Sequence, residues 1–144
     1  SFLARDVESL VQAGVLHPVH GDDPAPPMQG VRWWLSHGHT PYQLLVLVED
    51  EAHPLLFTGD MIPTSTHLPP PWVMAYDLHP LTTIDEKTRV LRMCGEQGLR
   101  LAFPHDRRMG AAVGDVSGKR PVVASALDLD PASRFKNTRG MLVL

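Results

Sequence analysis

Three turn clusters constrain this chain more than any other feature. Gly38-His39-Thr40-Pro41, Phe57-Thr58-Gly59-Asp60 and Phe103-Pro104-His105-Asp106 each set a metal-capable side chain beside a short apolar run. A residue at the end of a strand is held by the sheet yet reaches its open edge. Several such ends can therefore meet while remaining distant in sequence. An imidazole, a carboxylate and a second imidazole are the donor types of a Zn²⁺-type hydrolytic site. Taken alone, each histidine reads as a surface or satisfied core residue. The signal lies in the ordered set, its spacing and the elements between its members. Gly38 and Gly59 let the backbone approach closely at two of the turns.

Those apolar runs predict a short-strand scaffold. Leu3, Val7, Leu10 and Val11 recur at helical spacing, with Gly14 placed to end that helix. Residues 17–29, rich in Pro, Asp and Gly, read as loop. Val31 to Leu35 reads as a strand, with Trp33 and Trp34 on opposite faces, one in the core and one partly exposed. Residues 36–42 form a loop. Gln43 to Glu49 is an almost unbroken apolar run, hence a buried strand, and it pairs as a hairpin with residues 54–57 across the turn 50–53. Residues 61–80, with Pro69-Pro70-Pro71, are irregular. A loop of that length is functional or disordered, and Trp72, Val73, Met74 and Tyr76 argue for order.

Thr82 or Thr83 is expected to cap a helix with apolar face Ile84, Val90, Leu91 and Cys94. Asp85 and Glu86 fall in its first turn and Gly98 closes it. Residues 99–103 form a strand leading to His105. Residues 113–116 and 122–127 form a further hairpin across Ser117-Gly118, and the tail from Asp128 is weakly patterned.

The length of 144 residues fits one domain spanning 1–144, with 43% hydrophobic and 20% charged residues as in a globular protein. The net charge is −3 with no basic block, which excludes nucleic acid as the expected partner. No apolar run reaches membrane-spanning length. The single Cys94 suits a reducing cytoplasm. The 14 prolines, about twice the average share, fit a loop-rich scaffold. The chain starts Ser1-Phe2-Leu3-Ala4, without Met, and is expected to be the retained part of something longer.

The three clusters resemble the later metal-binding motifs of the metallo-β-lactamase-fold hydrolases, over about residues 3–106. The resemblance implies an α+β fold, half of an αββα sandwich, with mostly antiparallel strands and flanking helices. It implies that His39 binds one zinc, that Asp60 bridges two, and that His105 binds the second. Asp60 is accordingly the expected catalytic residue as well. The long insert 62–79 is similar to that of the lactonase-like branches, with Trp72 and Tyr76 as substrate-binding residues. The family's earlier His-x-His-x-Asp-His motif is absent, so the ligand set for two zincs is incomplete. The family loop usually continues Pro-Gly-His, where this chain has Pro41-Tyr42-Gln43.

His37-x-His39 also has the spacing of a two-His chelate, although the family register makes only His39 a ligand. His17, His20, His53, His67 and His79 read as solvated or capping residues. Asp77 and Tyr76 are candidates for substrate contact, with packing of the insert the competing reading for Tyr76. The expectation is the C-terminal portion of a metal-dependent hydrolase, acting on a small lactone or ester through a zinc-activated water. The alternative is an inactive truncated fold serving as an assembly or interaction module. Either way, a missing N-terminal half or a second copy should cover the sheet face left open.

Overall fold

The computed structural model describes residues 4–16, 28–52, 54–107, 111–115 and 122–127. A first helix, α1 (Ala4–Gln12), ends where Gly14 takes a left-handed φ of 66°. The strands β1 (Val31–Ser36), β2 (Gln43–Val48), β3 (Leu55–Phe57), β4 (Arg100–Ala102), β5 (Ala111–Asp115) and β6 (Val122–Leu127) form a six-stranded sheet in sequential order. Among the described residues only β3 and β4 run parallel, and the long helix α2 (Pro80–Gln97) lies between them in sequence. A parallel pair needs such a crossover. The architecture is α+β and mostly antiparallel, as expected.

The topology places the three turn clusters on one edge. Pairing of Ser36 with Gln43 makes residues 37–42 the tip of the β1–β2 hairpin. Phe57 pairs with Val46 and also with Ala102, so β3 and β4 both end on the side of that tip. The β2–β3 hairpin matches the expectation. So does pairing of β5 with β6, which carries a bulge at Val113/Gly114. The turn expected at Ser117-Gly118, the tail from Asp128, and His17, His20 and His53 lie outside the described residues.

Alternation along the strands separates two faces. Leu45, Leu47, Leu56 and Leu101 are buried in one core with Leu91 and Cys94 of α2 and with Met61, Ile62, Leu68, Leu99 and Phe103. Trp34 packs against this core, while its neighbour Trp33 is half-buried beside Val46 on the other face. On that other face Leu44, Val48 and Phe57 are exposed. The apolar run of β2 therefore marks a strand with two apolar faces of which one is covered, a correction to its reading as fully buried. Burial pushes the Cys94 thiol up to about 12, so it packs as a small hydrophobe.

Two expectations for α2 are corrected. The helix begins at Pro80, before either threonine, because Pro fits the first helical position, where no N–H is needed. Asp85 and Glu86 consequently lie beyond the first turn. Its buried residues are Thr83, Lys87, Leu91 and Cys94, whereas Ile84 is only half-buried. The polar pair Thr83 and Lys87 is buried because other segments fold over it.

Candidate metal centre

Each expected donor is held by local structure that its sequence dictates. His39 lies on the β1–β2 hairpin tip. Glu86 of α2 grips that tip: its carboxylate accepts from the Ser36 hydroxyl (2.7 Å) and from the His37 and Gly38 amides (3.0 and 3.2 Å). Gly38 is required there, because a Cβ would stand 2.4 Å from the Thr83 hydroxyl and 2.5 Å from its backbone. On the far side of the tip Tyr42 has φ 65°, a left-handed conformation that favours glycine. Its amide donates to His37 Nδ1 (3.2 Å), and its ring meets the His37 ring edge-on at 5.2 Å. His37 thus supports the turn.

Asp60 follows β3 in a 3₁₀ turn, Gly59–Met61. Thr58, fully buried, anchors that turn by donating from Oγ1 to the carbonyls of Ile62 (2.9 Å) and Ala102 (3.0 Å). Gln43 straps it from β2. The amide orientation that suits its surroundings lets the Gln43 oxygen accept from the Asp60 and Met61 amides, each at 3.2 Å. His105 follows β4, and its amide donates to the Pro63 carbonyl (3.0 Å). The adjacent Asp106 Oδ2 accepts from the Ser65 amide (2.9 Å) and hydroxyl (2.5 Å), which ties this strand end to the insert.

These elements bring His39, Asp60 and His105 together. Asp60 lies between the imidazoles, with Oδ2 3.4 Å from His39 Nε2 and Oδ1 2.8 Å from His105 Nε2. Among the described residues, no group of three or more His, Cys, Asp or Glu side chains is arranged to hold an ion. The donors are strung as imidazole, carboxylate, imidazole. By chemistry they fit two half-sites that share one carboxylate, each holding two of the three or four protein ligands that zinc ordinarily takes.

A cleft of about 370 Å³ opens here, lined by His39, Thr40, Gln43, Leu44, Phe57, Gly59, Asp60 and Pro104. Tyr76 stands edge-on to His39, with ring centroids 5.9 Å apart, and is largely exposed. Trp72 is also exposed and is not among the cleft-lining residues. His67 bonds Thr64 Oγ1 through Nδ1 (2.7 Å), and His79 is the exposed residue preceding α2.

Sequence reasoning missed two members of this neighbourhood. Asp77, read as a substrate contact, instead turns inward: its side chain is 1% exposed, and Oδ1 lies 2.8 Å from His39 Nδ1. No spacing rule reports a contact across 38 positions. Lys87 is fully buried, donating to the carbonyls of His67 (2.9 Å) and Trp72 (2.7 Å). Burial lowers its pKa to about 8, partly offset by the nearby Asp77 charge. Its spacing from Leu91 and Cys94 was the available signal, masked by its charge.

No family model and no curated protein matches the chain. Solved structures do. The chain is similar to a probable metal-dependent hydrolase from Staphylococcus aureus, at 25% identity and TM-score 0.67, covering 80% of this chain and 42% of that one. It is also similar to AidC, a dizinc quorum-quenching lactonase in complex with a product, at 16% identity and TM-score 0.64, covering 75% of this chain and 38% of that one. A third likeness is to the hydrolase AbOPH of the beta lactamase superfamily, at 16% identity and TM-score 0.66, covering 85% and 43%. The chain thus has the fold of part of the metallo-β-lactamase-type hydrolases and lactonases. It spans about two fifths of the length of these structures.

Proposed function

We propose that this chain carries the second half of a two-zinc hydrolase site acting on a lactone or similar small ester. The observation that carries this reading is Asp60 set between His39 Nε2 and His105 Nε2 at the mouth of a cleft. His39 and His105 would each hold one cation, and Asp60 would bridge the two. When bound, such a pair supplies an activated water and polarises the acyl oxygen. Hydrolysis adds hydroxyl to the acyl carbon and a proton to the leaving oxygen. Both come from the one water, and Asp60, with its oxygens given to the cations, would hold the pair at the mouth of the cleft. Leu44, Phe57 and Pro104 offer an apolar floor; Tyr76, edge-on to His39, and the exposed Trp72 stand outside that lining and are proposed to meet the substrate part that extends beyond it.

Among the described residues no further donor joins these three, and this reading assigns the remaining ligands to a partner. The exposed Leu44, Val48 and Phe57 mark the surface on which a complementary N-terminal half, or a second copy, would sit. No helix among the described residues is long and apolar enough to cross a membrane. The proposed compartment is the cytoplasm, on the strength of the single, buried and unpaired Cys94.

One observation favours a second reading. Two donors per half-site hold zinc poorly, so the chain alone would then serve as an inactive assembly module. Metal content by mass spectrometry, with and without an added N-terminal half, separates the two, together with hydrolysis of an N-acyl homoserine lactone and an aryl ester. Two zincs and turnover appearing only in the reconstituted pair support the hydrolase. Absence of both in the pair overturns it.

A further inference from the structure

We propose that Asp77 is the positioning residue that fixes His39 as an Nε2 donor. This rests on the reading of His39 as a metal ligand. A carboxylate only accepts hydrogen bonds, so Asp77 Oδ1, 2.8 Å from His39 Nδ1, keeps the ring proton on Nδ1. The Nε2 lone pair then faces Asp60. Metal-binding histidines commonly have their other nitrogen held in this way.

The backbone makes the same attachment. Leu78 N–H donates to the His39 carbonyl (3.1 Å) and His79 N–H to the Gly38 carbonyl (2.8 Å), so the end of the insert lies along the hairpin tip. Two neighbouring residues of α2 hold the two sides. Glu86 grips the tip, and Lys87 ties the insert through the carbonyls of His67 and Trp72.

Two other roles for Asp77 fit less well. A substrate contact requires access, and the side chain is 1% exposed and outside the cleft lining. A carboxylate serving packing alone has no need to place its side-chain hydrogen bond on a candidate ligand. Asp77 Oδ1 is spent on His39, while Oδ2 is buried with no partner among the described residues.

The test uses the ¹⁵N-labelled 144-residue chain, free of metal. Long-range ¹H–¹⁵N spectra of the imidazoles read the tautomer, with His39 assigned from a His39→Gln spectrum. The expected wild-type signal is Nδ1–H. Asp77→Asn, nearly isosteric, can donate to Nδ1 and should move the proton to Nε2. Asp77→Glu should restore Nδ1–H. Zinc affinity, read by competition with a chromophoric chelator, should fall roughly ten- to a hundredfold in Asp77→Asn. A wild-type Nε2–H tautomer, a tautomer unchanged by Asp77→Asn, or a changed tautomer with unchanged zinc affinity would each overturn the proposal. Neither readout needs turnover, so a failure of the hydrolase reading is seen separately.

Discussion

Replacing Lys87 by Met removes a fully buried ammonium that donates to two carbonyls. Two effects oppose each other. Each acceptor left without its donor costs about 1–3 kcal/mol. Against this, the wild type bears the cost of a buried charge, visible as a pKa lowered from 10.5 to about 8. At about 1.4 kcal/mol per pKa unit that cost is about 3 kcal/mol at neutral pH. The sign of the pH dependence follows from linkage. The folded value lies below the unfolded one, so between pH 8 and 10.5 the unfolded chain binds more protons and stability rises with pH.

The penalty is therefore fully present below pH 8 and lifted by about pH 10.5. Lys87→Met has no such group. Urea titrations followed by fluorescence of the three tryptophans, at pH 7, 8.5 and 10, give both stabilities at one protein concentration. Other lysines and both tyrosines titrate in both proteins and cancel in the difference. The wild-type advantage over the variant should grow by about 2–3 kcal/mol from pH 7 to 10. A flat or shrinking difference would refute the idea that Lys87 is a desolvated cation holding the insert.

Gly38→Ala should destabilise by about 1–3 kcal/mol in thermal unfolding, because its Cβ meets the Thr83 backbone at 2.5 Å. Tyr42→Gly should stay within about 1 kcal/mol of wild type in the same measurement, while the β-branched Tyr42→Val loses more, since only Gly relieves a φ of 65°. At micromolar concentration the chain should sediment as more than its 15.9 kDa monomer, and Val48→Lys on the open sheet face should shift it toward monomer without unfolding. In the reconstituted enzyme, Trp72→Ala with Tyr76→Ala should change the ratio of lactone to aryl-ester hydrolysis and leave zinc content unchanged.

The elements were legible because their signals are local. Gly14 and Gly98 closed helices as left-handed residues, and the β2–β3 hairpin followed from apolar runs broken by a turn. The meeting of His39, Asp60 and His105 was legible for a topological reason. Strand ends on one edge of a sheet must approach each other, and each donor follows a strand.

What sequence could not supply were contacts between segments that carry no periodic pattern. Asp77 and Lys87 both lie in or beneath the irregular insert, and charge alone argues for the surface at each position. Burial reversed that argument, because a carboxylate facing an imidazole and an ammonium facing two carbonyls are satisfied only once the insert has folded over α2. Local patterning set the strands, the turns and the chemical identity of the donors. The tertiary structure decided which nitrogen of His39 faces Asp60 and which sheet face lies open. Both depend on what each group packs against, and packing is a property of the assembled chain.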